Sequence, residues 1–512
     1  MLRKTIMALI CATGVLLLSS CRSERPEFEP TWESLEGFTC PEWFRDAKLG
    51  IFLHWGPTSV PAVDGWYGRN MYVQGHRAYE YHVKTFGHPS KFGYKDIIPL
   101  WKAENFDPDH LVGVFKKAGA RYVVPVAVHH DNFDLWNSTH HRWNAVNMGP
   151  KKDIIGLWRK AVLKQGLRFG AALHHDRSWS WFNTSKQSDT TGPLAGVPYD
   201  GSDPANKDLY CEPNDVAGPY VPPNPSQAWK EEWLIRTRDL VENYDPDLIY
   251  FDGGAPWDEV GRMAMAHFYN HNLKVHNGRQ EGVINLKDVK SGAYRDGTCV
   301  LDLERRKLKG IKPEPWQTDT SINGPWYYER DGRYESTNSI IDMFVDIISK
   351  NGNLLLNIPL KADGTLDEPS ARFLEELAQW MKINGEAVYG SRPWVVYGEG
   401  PTETMAGYTE VIREAFTSRD IRFTRQPDTL YAFFLDWPEE GEPLIIQSLS
   451  NNHLPKVIAQ VSLLGYDGEL TWERSDQGLR VQLPPRPSGA FAYTLKITTT
   501  HGHIRSIKGF EE

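Results

Sequence analysis

The sequence predicts an α/β fold: a (β/α)8-like TIM-type barrel followed by a C-terminal β-sandwich. Three observations carry the prediction. Amphipathic runs alternate with short apolar runs between Lys48 and Trp380; the apolar runs end in polar or charged residues; and after Pro393-Trp394 short strands with turn residues replace the helical runs. Alternating helices and buried strands build parallel β/α units. Polar groups collecting at successive strand ends favour a closed barrel over a doubly wound sheet.

The clearest unit is 227–254. Residues 227–242 repeat apolar side chains at helical spacing. Asp245-Pro246 breaks that helix. Leu248-Ile-Tyr-Phe251 is apolar without alternation, the pattern of a strand buried on both faces, and it ends in Asp252-Gly-Gly254. Asp-Gly is also a common turn pair, so Asp252 gains functional weight only from its neighbours. The same phrase recurs at 109–131, where a helix and Gly119 lead into a strand over 121–128 that ends His129-His130-Asp131. It recurs at 153–176, where Gly166 and a strand over 167–173 lead to His174-His175-Asp176. An earlier strand runs into His54-Trp55-Gly56, two more with polar ends span 281–286 and 298–304, and the last spans 354–358. Asp64-Gly-Trp66-Tyr67 opens an aromatic loop. Residues 182–225 form an insertion rich in Pro, Gly and Asp, a length that goes with a functional rim or lid. Beyond 394, the segments 430–435, 443–447, 470–472 and 490–497 read as the strands of the sandwich.

A chain of 512 residues exceeds one ordinary domain, which agrees with that division. Its net charge of -9, with no Lys/Arg-rich run, argues against a nucleic-acid partner. The 19 Trp, 22 Tyr and 21 Phe suit a core, and they also suit a protein that stacks rings on the apolar faces of sugars. Met1-Leu-Arg3-Lys4 is basic and 6–18 is apolar but too short to span a bilayer. Leu18-Ser-Ser-Cys21 then resembles a bacterial lipobox, which implies cleavage before Cys21 and lipidation of its thiol; a plain signal peptide is the alternative. The expected division is a signal peptide at 1–20, a lipid-anchored tether at 21–40, the barrel at 41–394 and the sandwich at 395–512. The expected location is the bacterial cell envelope, with the membrane touched only through the lipid anchor. Cys40, Cys211 and Cys299 give neither a disulfide framework nor a C-x-x-C metal spacing.

No metal site is expected. His129-His130 and His174-His175 are adjacent pairs, and neighbours on a strand point to opposite faces. One ring of each pair would reach a common site, which is poor spacing for a metal and good for binding a polyol. The chain has no G-x-S-x-G and no P-loop. What remains is a carboxylate pair, Asp252 and Glu304, each ending a strand one or two β/α steps apart. Facing each other across a Trp/His pocket they suit glycoside hydrolysis, one ionised and one protonated. Glu304 also sits among Arg305, Arg306 and Lys307, which by local sequence alone favours a surface charge cluster.

Five stretches together carry a resemblance: Leu49-Gly-Ile-Phe-Leu-His-Trp-Gly56; Val128-His-His-Asp131 with Phe133; Leu248-Ile-Tyr-Phe-Asp252-Gly; Asn351-Gly-Asn-Leu-Leu-Leu-Asn-Ile358; and Lys382-Ile-Asn-Gly-Glu-Ala-Val-Tyr-Gly390 through Arg392-Pro-Trp394. They resemble the α-L-fucosidases, family 29 of the glycoside hydrolases. The resemblance implies an exo-acting, retaining hydrolase of terminal α-L-fucosyl residues on glycans, with no cofactor. It implies Asp252 as nucleophile and Glu304 as acid/base, with Glu314 as the alternative acid. His54, Trp66, His129 and His130 match its sugar-binding positions, and His174, Tyr250, Lys287 and Trp316 complete the expected substrate-binding set. Departures are Gly65-Trp66 where the family often has Glu-Trp, Lys287 where it often has Arg, and Gln317 where a Glu commonly follows the Trp. These leave open another L-sugar, such as an α-L-galactoside, because a pocket that merely tolerates one more hydroxyl discriminates weakly. A carbohydrate-binding lipoprotein that has lost catalysis would need only part of this set.

Overall fold

The computed structural model describes residues 27–500, apart from 217, 289–291, 403–406, 409–415, 453–456 and 488–490. The signal segment and Cys21 lie outside the described residues. Eight parallel strands close into a barrel: β1 (Leu49–Leu53), β2 (Tyr122–Val128), β3 (Arg168–Leu173), β4 (Leu248–Phe251), β5 (Val283–Lys287), β6 (Val300–Asp302), β7 (Trp316–Ser321) and β8 (Gly352–Asn357). Closure is the pairing of β8 with β1, Leu354 to Leu49 through Asn357 to Phe52.

The main outer helices are α1 (Pro108–Lys117), α2 (Ile154–Lys164), α3 (Gln227–Tyr244), α4 (Glu259–Val275), α5 (Thr337–Ser349) and α6 (Glu368–Val388). Five of them start at an oxygen-bearing cap, since Asp107, Asp153, Ser226, Ser336 and Asp367 each accept the N–H three residues on. The Asp-Pro break after α3 takes its expected form, with Asp245 left-handed at φ 42° before Pro246 turns the chain into β4.

Strand residues alternate between two environments. Phe52, Tyr122, Val124, Val126, Ala172, Leu248, Tyr250, Val283, Val300 and Leu355 fill the barrel, while Ile51, Val123, Phe169, Ile249, Ile284, Leu354 and Leu356 pack outward under the helices. Gly50 is required by this filling: the Tyr122 ring comes within 2.2 Å of where a Cβ would stand.

One expectation is corrected at the N-terminus. The tether was expected over 21–40, yet 28–40 is packed against the barrel. Phe28 exchanges backbone hydrogen bonds with the Asn270 amide at 2.7 and 2.9 Å, Phe38 stacks on Tyr269 at 5.3 Å, and Leu35 is fully buried. The polar composition of 21–30 hid Phe28 within it and drew attention from Leu35 and Phe38 that follow, and these anchors cover the face of α4. The insertion is also folded in place, by Tyr79 and Tyr199 donating to Asp189 and by Tyr72 and Tyr210 donating to Asp200.

C-terminal to the barrel, β9 (Arg392–Glu399), β10 (Ile421–Gln426), β11 (Thr429–Phe434), β13 (Ile458–Leu463) and β16 (Tyr493–Thr499) form an antiparallel sheet in the order β9-β10-β11-β16-β13. A second sheet joins β12 (Leu444–Ile446), β15 (Gly478–Gln482) and β14 (Thr471–Ser475). Ile421, Phe423, Ala432, Phe434, Leu479, Val481 and Leu495 form their shared core. The sandwich is tied to the barrel by Arg422, which donates to Asp346 of α5 at 2.6 Å, and by Trp380 of α6, which donates to the Ala492 carbonyl at 2.7 Å.

Candidate active site

The C-terminal ends of the barrel strands gather most of the predicted residues. His54 follows β1, His129 and His130 follow β2, His174 follows β3, Asp252 follows β4, Lys287 ends β5 and Glu304 lies two residues past β6. Strand periodicity explains the selection. Counting by two along the interior face runs Leu248, Tyr250, Asp252 on β4; Val283, Asn285, Lys287 on β5; and Val300, Asp302, Glu304 on β6.

The centre of the site is a cation between two acids. The Lys287 ammonium donates to Asp252 Oδ1 at 2.6 Å and to Glu304 Oε2 at 2.6 Å. A shared donor at those lengths limits the two oxygens to a separation of about 5.2 Å. Arg177 closes the other side of Asp252: its Nη2 donates to the Asp252 carbonyl at 2.9 Å and lies 3.4 Å from Oδ2. Burial pushes the Asp252 carboxyl up, but Arg177 and Lys287, then His174 and His130, outweigh it and hold it well below the usual carboxylate range. Burial likewise opposes the charge on Lys287, and Asp252 and Glu304 outweigh it, so the ammonium titrates well above its ordinary range.

Four imidazoles form the opposite wall. His54 donates through its backbone N–H to Asn357 Oδ1 at 3.0 Å, and its Nδ1 lies 2.9 Å from the same oxygen. The Asn357 amide nitrogen donates to Ser321 Oγ and to the Trp326 carbonyl at 2.9 and 2.7 Å, so Oδ1 is the acceptor. The His54 proton therefore sits on Nδ1, leaving Nε2 as an acceptor. His130 Nδ1 donates to the His174 carbonyl at 2.7 Å, and its Nε2 lies 3.5 Å from Asp252 Oδ2. Burial lowers all four rings, His54 to about 3 and His130 to about 4, so they are neutral at pH 7. His129 Nδ1 and His174 Nε2 are buried without a protein partner. Neutral rings with unmet hydrogen-bonding nitrogens suit sugar hydroxyls.

The same wall brings together what chain spacing kept apart. Ligand atoms of His54, His129 and His174, and of His130, His174 and Asp252, lie within 4.8 Å of one another. These are the groups that could hold a metal ion, as neutral imidazole is also the ligating form. The two sets share His174 and enclose the same pocket, so an ion there would compete with a sugar.

The expectation for the histidine pairs holds for one and fails for the other. His175 points away from its neighbour and stacks on Trp233 at 5.7 Å. His129 and His130 both face the site, their rings 4.2 Å apart and 5.1 and 5.6 Å from His174. The reason is that β2 ends at Val128, after a register irregularity, and the chain turns at once through left-handed Asn132, so alternation no longer applies.

Trp66 flanks the pocket, edge-on to His130 at 5.7 Å, its loop pinned by Asp64 Oδ1 accepting the Trp66 N–H at 2.7 Å. Tyr250 is not a wall residue. It is fully buried beneath the site, 5.5 Å from the Lys287 ammonium, and donates to Asp319. Trp316 is corrected outright. It opens β7 at the far end of the barrel, faces outward, and its fully buried indole donates to the Lys350 carbonyl at 2.8 Å. Its odd position on β7 decides this, because Gln317 and Asp319 take the inward face. Glu314 lies at that far end too, exposed and paired with Lys312 at 2.9 Å, so Glu304 and not Glu314 meets Asp252.

Sequence reasoning missed Arg177, Asn357, Trp326, Asp302 and Asp319. Asp302 was reachable by counting back two from Glu304, and Asp319 by counting on two from Gln317. Trp326, whose ring packs 5.0 Å from His54 under the Arg305 guanidinium, comes from a loop with no periodic signal.

Comparison with known proteins agrees with this architecture. The sequence pattern of the α-L-fucosidases matches residues 15–386, and that of the α-L-fucosidase C-terminal domain matches 414–498. The chain is 30% identical over 508 residues to the tissue α-L-fucosidase of Rattus norvegicus, covering 95% of this chain and 96% of that one. The crystal structure of Thermotoga maritima α-fucosidase with a mechanism-based inhibitor superposes with a TM-score of 0.72 at 27% identity, covering 92% and 100%. The same enzyme in complex with fucose gives 0.70 at 27% identity, covering 92% and 99%. With a barrel carrying two acids at its mouth and a family pattern spanning most of the chain, this protein belongs to the α-L-fucosidase family and is a glycoside hydrolase.

Proposed function

We propose that the chain is an exo-acting, retaining α-L-fucosidase with Asp252 as nucleophile and Glu304 as acid/base. The observation that carries this reading is the Lys287 bridge: one ammonium bonded to both acids at 2.6 Å holds them as a close pair, which suits the spacing of about 5–5.5 Å of a double displacement and not the roughly 6.5–9.5 Å of an inverting site. In the first step Asp252 attacks the anomeric carbon while protonated Glu304 gives its proton to the departing oxygen. In the second, ionised Glu304 takes a proton from water, and the resulting hydroxide equivalent displaces Asp252 from the sugar.

Lys287 suits both steps. Before attack its anionic partner is Asp252, and Glu304 carries the proton. Once Asp252 is esterified, the partner is ionised Glu304. One ammonium thus faces one negative charge throughout, and no charge needs to enter or leave the pocket. The deeply lowered titration of Asp252 keeps the nucleophile ionised across the working range. His54 Nε2, His129 and His174 supply hydrogen bonds to the sugar hydroxyls, and Trp66 and Trp326 supply apolar faces.

The stereochemical course is the direct test. Proton NMR of the first product formed from an aryl α-L-fucoside shows the α anomer for retention; the β anomer would reject the mechanism. The ratio of kcat/KM for aryl α-L-fucoside and α-L-galactoside decides which L-sugar the site prefers.

We also infer a lipid anchor at Cys21 in a bacterial envelope, supported by the basic start, the apolar segment and Leu18-Ser-Ser-Cys21. No helix among the described residues is long and apolar enough to cross a membrane. Membrane fractionation of the full chain and of Cys21→Ala tests it: the variant should lose the fatty acyl label.

A further inference from the structure

Beneath the two acids at the mouth lies a second acid pair. Asp302 of β6 and Asp319 of β7 face the barrel interior and are 1% and 2% exposed. Asp302 is the register partner of Lys287 across the β5–β6 pairing, and Gln317 is the register partner of Asp302 across β6–β7. The outer oxygen of each acid has a donor: Gln317 Nε2 donates to Asp302 Oδ2 at 2.8 Å, and Tyr250 donates to Asp319 Oδ2 at 3.0 Å. Gln317 is itself held by Tyr122, which donates to its Oε1 at 2.8 Å. Oδ1 of Asp302 and Oδ1 of Asp319 have no donor from the protein, while the two carboxyl groups are within hydrogen-bonding reach of each other.

Two carboxylates cannot hydrogen-bond, because each offers only acceptors. A closed barrel layer filled by Tyr122, Tyr250, Val283 and Val300 gives them little access to bulk water. The arrangement is satisfied by one proton between them, as in carboxyl dyads that cannot both ionise at contact distance.

We propose that Asp302 and Asp319 share one proton and act as a single fixed negative charge beneath Lys287, making them positioning residues for the catalytic pair above. The pair holds Lys287 charged and in place, and raises the cost of removing the last proton from the mouth. Both carboxyls titrate above their ordinary range, with burial the main cause and each acid raising or bonding the other. The titratable and charged groups facing the dyad are Tyr122 on β2, Tyr250 and Asp252 on β4, Lys287 on β5, and Glu304 and Arg305 beyond β6. Gln317 and Asn285 are the neutral polar neighbours. Lys287 and Arg305 are the cations of that set, and Arg305 is turned toward Trp326 and the Gly324 carbonyl, to which it donates at 2.7 Å. The proposal rests on the reading of Asp252 and Glu304 as the reacting groups only for its effect on rate; the shared proton itself does not.

Asparagine mimics a protonated carboxyl group, so single and double substitutions have different outcomes. Infrared difference spectra of wild type against Asp302→Asn and against Asp319→Asn should each show the loss of one protonated-carboxyl stretch, because the remaining aspartate ionises. Each single variant should lose less than about tenfold in kcat and keep the pH profile of kcat/KM in place, the charge of minus one being preserved. The double variant removes that charge, and both limbs of its profile should move to lower pH by about one unit. An unchanged infrared spectrum in both single variants overturns the shared proton. So does a single variant that shifts the profile half as far as the double, which is the behaviour of two independent charges. If the double variant does not fold, the spectra and the single-variant profiles decide. Asp252→Ala serves as the control: it should retain the protonated-carboxyl band, and activity surviving in it would reject the catalytic reading while leaving the dyad intact.

Discussion

The barrel holds two acid pairs one layer apart and treats them in opposite ways. At the mouth, an ammonium stands between Asp252 and Glu304, and Asp252 is driven well below the ordinary range. One layer down no cation among the described residues bridges Asp302 and Asp319, and in the proposal above a proton takes the cation's place. The difference teaches what an enzyme needs from a carboxyl group. In the proposed mechanism the upper pair exchanges charge during turnover, and Lys287 is there to be shared. The lower pair must keep its charge constant, and a proton locked between two buried oxygens does that. Depth adds to the contrast: the Glu304 side chain is 36% exposed, and Asp302 is closed off.

The comparison can be broken or sharpened experimentally, starting with the largest effect. Asp252→Ala removes the covalent route, and the rate of nitrophenol release from aryl α-L-fucoside should fall by about four orders of magnitude or more with the fold intact. Near wild-type activity would place the nucleophile elsewhere.

Glu304→Ala should cost about 10²–10⁴-fold on natural glycosides and much less in the first step on substrates with good leaving groups. The glycosyl-enzyme should then accumulate and azide should restore turnover, since an anionic nucleophile needs no base. Glu314→Ala, at the other end of the barrel, should show neither effect; azide rescue there would reverse the assignment.

Lys287→Met takes the cation from between the upper acids. A loss of about 10²-fold in kcat is expected, the cost of leaving the one negative charge of the pair without its cation in a partly buried site. The variant should behave more like the lower pair, with Asp252 holding a proton and the acid limb of the pH profile displaced upward. An acid limb that stays in place would mean Arg177 alone keeps Asp252 ionised.

A smaller effect concerns stability. The unfolded chain ionises both Asp302 and Asp319 above about pH 4, whereas the native dyad keeps one proton. Folding therefore takes up a proton. A native titration raised above the unfolded one stabilises at low pH, and that contribution is lost as pH rises, at about 1.4 kcal/mol per unit. Asp319→Asn lacks the shared proton, so its stability should fall less steeply between about pH 5 and 8 in urea denaturation. Equal slopes would argue against proton sharing.

The smallest effect marks the edge of the site. Trp316→Phe loses the indole bond to the Lys350 carbonyl and should cost about 1 kcal/mol of stability with KM unchanged. A raised KM would return Trp316 to the substrate.

Much of this organisation was legible in the chain. The helix breaks at Asp245-Pro246, and the continuous apolar runs 122–128 and 248–251 specify buried parallel strands because only a strand covered on both faces tolerates such a run. Period two then dictates which side chains enter the barrel: Asp252, Lys287 and Glu304 follow from it, and Trp316 is excluded by it. The tertiary structure alone decided what lies across the barrel from what. Lys287 and Asp252 are 35 residues apart, His54 and Asn357 are 303 apart, and no local pattern couples them. It also decided where alternation stops, which is why His129 and His130 share a wall while His174 and His175 do not. Local sequence placed Glu304 in a surface charge cluster, because charge composition reports neighbours along the chain. Its partner, Lys287, comes from the adjacent strand, and only the closed barrel brings that ammonium within 2.6 Å of it.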